Sequence, residues 1–194
     1  MQFTPGTLVC RENAGDNIIG DYSCWGNLAC SNHESGSVKI DDAACFGNRV
    51  CYELEATTVS VADRSCQGND VCRSITSADE VTIASHSCMG YLVCREIYGS
   101  FTVGENSCIG DETCSGIQID ASGENLPANS IGPNSCNGAR ACSETEFPLT
   151  VGRNSCNCVG CCSGCTSDTV VGDNECNSPT DPTCPCVLIP GERM

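Results

Sequence analysis

Long apolar runs are missing from this 194-residue chain: nothing approaches the roughly 20 residues a bilayer-crossing helix needs, so no membrane insertion is expected. Aromatic residues are scarce at 5%, which argues against a conventional aromatic-rich core. Basic residues are scarcer than acidic ones: 9 Lys+Arg stand against 25 Asp+Glu, leaving a net charge of −16. A surface so acidic repels phosphate, making nucleic acid and anionic lipid poor partners. The opening Met1-Gln2-Phe3-Thr4-Pro5-Gly6 lacks the basic end and apolar stretch of a signal peptide, so the chain reads as mature or as a piece of something longer. Helical periodicity never persists beyond a turn. No Asn-x-Ser/Thr acceptor occurs, and no Gly-x-Ser-x-Gly, Walker or dinucleotide motif.

Cysteine, by contrast, is abundant. Twenty-one of 194 residues is the level of a disulfide scaffold, which points to an oxidising, secreted, extracellular or cell-surface setting. The cysteines are also periodic. Cys24-x-Gly26…Cys30 is followed by Cys45…Cys51, Cys66…Cys72, Cys88…Cys94, Cys108…Cys114, Cys136…Cys142 and Cys156…Cys162, with Cys176…Cys184 as a stretched last version. Successive first cysteines are 21, 21, 22, 20, 28, 20 and 20 residues apart. Cys10 stands 20 residues before Cys30 and so falls in the second-cysteine column.

Each unit opens on an apolar–x–apolar step, such as Val59-Ser-Val61, Val81-Thr-Ile83 or Phe101-Thr-Val103. Alternation with β-branched residues predicts a short strand with one buried face. Turn residues follow, and the glycine after the first cysteine is expected to supply a positive φ. A third apolar column, Leu54, Ile75, Ile97 and Ile117, lies three residues past the second cysteine. A 20–22-residue unit is too short for strand plus helix. The expected fold is therefore all-β: a single-domain, disulfide-stapled β-solenoid (parallel β-helix) of about eight coils. At about 4.8 Å per coil it is a rod roughly 38 Å long. Its inner column should run Ile19, Ile40, Val61, Ile83, Val103, Ile131, Val151, Val171. Right-handed crossovers are the usual case. We divide the chain into an N-terminal cap or degenerate first coil (1–16), the solenoid (17–176, with an insertion near 118–127) and a Pro/Cys-rich C-terminal cap or tail (177–194).

The unit Val-x-Val-Gly-x-Asn-Ser-Cys-x-Gly-x-x-x-Cys resembles a repeat of secreted cysteine-rich proteins of algae and related stramenopiles. Its best matches are Val103-Gly-Glu-Asn-Ser-Cys108-Ile-Gly110 and Val151-Gly-Arg-Asn-Ser-Cys156; the close, Cys156-Asn-Cys158…Cys161-Cys162 and Gly172-Asp-Asn-Glu-Cys176-Asn, is similar to that family's terminal unit. The resemblance covers about residues 17–177. It implies a secreted, disulfide-stapled solenoid and no catalytic residues.

Two pairings remain open from spacing. Intra-coil bonds would join Cys24–Cys30, Cys45–Cys51 and their equivalents around the glycine corner. Inter-coil bonds would join Cys10–Cys24, Cys30–Cys45, Cys51–Cys66 and so on. Cysteines six apart across one corner can reach the Cα spacing a disulfide wants, which favours the intra-coil set. The count is odd, so at least one cysteine is unpaired within the chain, and Cys10 is the candidate for a free thiol or an intermolecular bridge. The cluster Cys156, Cys158, Cys161, Cys162 and Cys165 has a metallothionein-like spacing, but a disulfide-knotted cap with Cys184 and Cys186 is the preferred reading. No metal or other cofactor is expected.

Outward columns are where a solenoid carries function. Ser60, Thr82, Thr102, Ser130 and Thr150 form a candidate O-glycan or binding ladder. An acidic column, Asp21, Asp42, Asp63 and Glu105, passes Ser85, Pro133 and Arg153 and resumes at Asp173; a solvated face is preferred to a cation site. Trp25, Phe46, Gln67, Met89 and Ile109 give way to Asn137, Asn157 and Asn177 in a column that is either an exposed apolar stripe or corner core. Asn106, Asn134, Asn154 and Asn174 are expected to stack inward, amide on amide. His33 and His86 lie in different columns, read as isolated. The expectation is a non-enzymatic structural rod of a filament, appendage, wall or matrix, associating end to end and carrying glycans. An ice- or glycan-binding solenoid is the alternative, and an acidic-groove polysaccharide enzyme the third.

Overall fold

The computed structural model describes residues 10–11, 17–21, 23, 30–31, 36–44, 46–48, 51, 57–69, 72, 74–75, 80–91, 94, 97, 100–116, 129–145, 148–181 and 184. Ten short strands occur among them: β1 (Cys10–Arg11), β2 (Asn17–Ile19), β3 (Cys30–Ser31), β4 (Ser37–Ile40), β5 (Thr58–Val61), β6 (Val81–Ile83), β7 (Phe101–Val103), β8 (Asn129–Ile131), β9 (Leu149–Val151) and β10 (Thr169–Val171). Eight of these form one parallel sheet in the order β10-β9-β8-β7-β6-β5-β4-β2, one strand per coil. The chain is an all-β solenoid. β1 pairs with β3, placing Cys10 in register with Cys30.

Apolar–x–apolar steps become strands because alternate side chains leave opposite faces. In β6, β7 and β9 the outer two residues are buried and the middle one faces out. The column from Ile19 to Val171 is paired in register throughout, including across the 28-residue interval, where Val103 meets Ile131. Residues 118–127 lie outside the described residues. Ile75 and Ile97 of the third apolar column are buried at 0% and 1%. Leu54 and Ile117 fall outside the description, and Thr145 and Cys165 occupy the same column, both buried.

Beyond each strand the backbone turns through repeated left-handed residues. The first cysteines Cys66, Cys88, Cys108, Cys136, Cys156 and Cys176 all have φ between 53° and 58°, and the second cysteines from Cys51 to Cys162 have φ between 53° and 61°. A Cβ in this region costs about 1–2 kcal/mol per residue, so the surrounding structure must over-determine it. Two constraints do so: a disulfide at the same residues, and hydrogen bonds to both neighbouring coils. Asn106 N–H, for example, donates to the Ser85 carbonyl in one coil, and Cys108 N–H donates to Ser135 in the other. The glycine after the first cysteine is therefore only part of the corner. Gly110 does take φ +146°, whereas Gly138 is not left-handed and is required by proximity, since a Cβ there would lie 2.5 Å from the Cys158 carbonyl oxygen.

Candidate functional site

In this fold any site must be a column, because each coil repeats the same side-chain directions at the strand-to-strand spacing. The Ser/Thr ladder is one such column. Ser60, Thr82, Thr102, Ser130 and Thr150 are consecutive register partners at the middle of β5 to β9. Thr102 and Thr150 are exposed and the other three half-buried. Thr82 Oγ1 donates to Glu80 Oε1 at 3.3 Å. The rank is bounded by Lys39 and Ile18 at one end and by Val170 at the other.

The acidic column has a structural task. Asp42 Oδ1 accepts the Asp21 backbone N–H at 2.7 Å, Asp63 Oδ1 accepts that of Asp42 at 3.1 Å, and Asp173 Oδ1 accepts that of Arg153 at 2.9 Å. Each carboxylate thus satisfies a corner donor in the adjacent coil while its charge stays in water. Arg153 Nε lies 3.4 Å from Asp173 Oδ2, an exposed pair that adds little stability.

The asparagine expectation is corrected. Asn134, Asn154 and Asn174 are exposed, and they stand in the left-handed region at φ 56°, 53° and 62°. Asparagine suits that position because it tolerates the conformation, not because it stacks inward. The amides do bond one another on this outward face, Asn154 Nδ2 donating to Asn174 Oδ1 at 3.2 Å, and a second asparagine column, bonded to backbone, runs through Asn137, Asn157 and Asn177, half-buried to exposed. Asn157 Oδ1 accepts the Asn137 backbone N–H at 3.0 Å, while Asn157 Nδ2 donates to the Asn134 carbonyl at 2.9 Å; Asn177 does the same one coil on. In earlier coils that column holds Phe46, which is 45% exposed, and Gln67, Met89 and Ile109, which are half-buried, so it faces outward at the corner.

Inside the rod runs a column the sequence reading overlooked. Ser65, Ser87, Ser107, Ser135 and Ser155 are fully buried. Each hydroxyl donates to a carbonyl of the next coil: Ser87 to Gly104 at 2.7 Å, Ser107 to Gly132 at 2.8 Å, Ser155 to Gly172 at 2.6 Å. Each also accepts the backbone N–H of the next serine position, as Ser107 Oγ does from Ser135 at 3.1 Å. The signal was available as a serine immediately before the first cysteine in every unit from Cys66 to Cys156. Two buried polar atoms among the described residues find no partner: Asn129 Nδ2 and Thr145 Oγ1. Both residues replace apolar ones in their columns, although Asn129 Oδ1 does accept the Leu149 N–H.

Directly beside the serines stands the cysteine column. The structure joins Cys66 to Cys72, Cys88 to Cys94, Cys108 to Cys114, Cys136 to Cys142 and Cys156 to Cys162, each within one coil and with Cα atoms 5.8–6.2 Å apart. Cys51 is also disulfide-bonded; Cys24 and Cys45 lie outside the described residues, and only the strand position of Cys10 and Cys30 is described. In the C-terminal cluster Cys158 bonds Cys161, Cys176 bonds Cys184, and Cys165 is disulfide-bonded as well. Cys186 is outside the description. Three sulfurs can gather within 4.8 Å, as at Cys161, Cys176 and Cys184, but disulfide sulfur offers no thiolate to a metal. His86 is half-buried in its corner, and His33 lies outside the described residues.

A family model matches part of this arrangement. Residues 58–127 match Domain of unknown function (DUF7640). The matched segment spans β5, β6 and β7 with two of the disulfides between them and a third after β7. No curated protein and no solved structure matches the chain. No helix among the described residues is long and apolar enough to cross a membrane.

Proposed function

We propose that this chain is a non-enzymatic extracellular structural protein, a rigid rod module of a filament, appendage, wall or matrix that stacks end to end. The observation that carries the reading is the single eight-stranded parallel sheet, with a disulfide beside it in successive coils and both outer edges formed by strands of the same register. Strand edges invite another strand, and head-to-tail contact of unlike ends builds an open fibre. The disulfide content supports an oxidising compartment. The resemblance to secreted algal repeat proteins supports the same assignment, and the Ser60–Thr150 rank offers hydroxyls for O-glycans. Electron microscopy of native material tests it: filaments are expected, and dispersed monomers at high concentration refute intrinsic assembly.

The in-register Ser/Thr rank favours one second reading, binding of ice or a glycan along that face. A Thr102→Tyr variant in thermal-hysteresis and glycan-array assays checks it, and an inactive parent chain ends it.

A further inference from the structure

The last coil of the sheet is finished differently from the inner ones. In each inner coil the residue after the strand donates its N–H to the next coil: Gly132 to the Val151 carbonyl at 2.7 Å, Gly152 to that of Val171 at 2.8 Å. In the last coil Gly172 N–H has no further coil among the described residues. It donates instead to Glu175 Oε2 of its own corner, at 2.7 Å. The space tells the same story. A Cβ on Gly132 would meet the backbone of Gly152 at 2.7 Å, and one on Gly152 would meet that of Gly172 at 2.6 Å. A Cβ on Gly172 would meet the Glu175 carboxylate at 2.9 Å. The carboxylate therefore stands where the backbone of another coil would lie. Glu175 occupies the position held by serine at 65, 87, 107, 135 and 155.

We propose that Glu175 is a removable plug on the edge of β10, which pairs with no further strand among the described residues, and that with the plug displaced this edge docks the β2 edge of a second copy of the chain. This rests on the end-to-end reading above and specifies its junction. Continuing the register sets Thr169, Val170 and Val171 against Asn17, Ile18 and Ile19 of the second copy. Val170 is 77% exposed and Ile18 63%, apolar residues at the two ends of a rank that is otherwise Lys, Ser and Thr, and the junction makes them neighbours. Gly172 N–H would then reach the Ile19 carbonyl, as Gly20 N–H reaches that of Ile40. Asp21 of the second copy would receive the Asp173 N–H, as Asp42 receives that of Asp21.

Sedimentation velocity over a concentration series, with amide exchange at Gly172, compares the parent chain with Glu175→Ser, Glu175→Gln and the double variant Glu175→Ser/Val170→Glu. Serine is the inner-coil residue and cannot reach back to Gly172; glutamine keeps an acceptor of the same reach. The expected result is faster Gly172 exchange in dilute Glu175→Ser, by about tenfold, and assembly of that variant at about tenfold lower concentration. Glu175→Gln should follow the parent, and the added Val170→Glu should return the serine variant to monomer. Unchanged Gly172 exchange overturns the plug. Equal assembly of parent and Glu175→Ser also overturns it, while the end-to-end reading stands. Faster exchange with monomers throughout overturns the docking together with that reading.

Discussion

Replacing Ser107 by alanine isolates the contribution of the internal hydroxyl column. The side chain is fully buried, donates to the Gly132 carbonyl at 2.8 Å and accepts the Ser135 N–H at 3.1 Å. Alanine removes both bonds and leaves one backbone acceptor and one backbone donor facing a methyl group. A buried polar group stripped of its partner costs about 1–3 kcal/mol, so two of them cost about 2–6 kcal/mol. Because each coil touches only its neighbours, the loss should be felt locally. Native-state hydrogen exchange at the Ser135 amide is the assay, and the same energy predicts acceleration of about 30- to 20,000-fold. Thr102→Ala, on the exposed rank of β7, is the control and should stay within about 0.5 kcal/mol of the parent. If Ser135 protection changes less than about threefold while the fold is intact, the hydroxyl column does not hold the coils together.

Changing Cys108 and Cys114 together to serine opens a loop whose cysteines are six residues apart, and chain entropy predicts a loss of about 2 kcal/mol, read from the denaturant midpoint. Gly138→Ala forces a Cβ to 2.5 Å from the Cys158 carbonyl oxygen and should cost more than Gly116→Ala, whose nearest contact is 3.7 Å away and whose cost is the left-handed φ of 72°, about 1 kcal/mol. Equal losses at the two glycines would show that conformation rather than coil contact sets the requirement. Thr145→Val removes a buried hydroxyl without a partner and keeps the volume, so the melting temperature should rise, by about 1 kcal/mol of stability. A fall there would mean that the hydroxyl is satisfied.

Much of the architecture was legible because a solenoid writes its register into the sequence. Stacked coils meet like with like, so an apolar residue returning from Ile19 to Val171 every 20 or so residues must lie in one column. Even the 28-residue interval left that column in phase, with Val103 paired to Ile131. Side-chain direction at the corners was not legible. Strand alternation predicts in and out by parity only while φ stays negative, and here left-handed residues recur at Asn106, Cys108 and Cys114. That is why Asn134 and Asn154 were expected inward and lie outward, and why the buried serine beside each was passed over.

Composition and period alone pointed to a disulfide-rich chain wound into stacked strands, because units so short bury an apolar column by stacking on one another. Which cysteine bonds which, whether an asparagine or a serine faces the interior, and how the last coil is closed depended on the three-dimensional path. Spacing leaves Cys108 two candidates, Cys94 in the coil before and Cys114 in its own, and only the folded path shows that its bond is to Cys114. Likewise the sequence shows a glutamate at 175 where other units have serine but not what it bonds; that contact exists only because Gly172 N–H lies within reach of its carboxylate at the edge of the sheet.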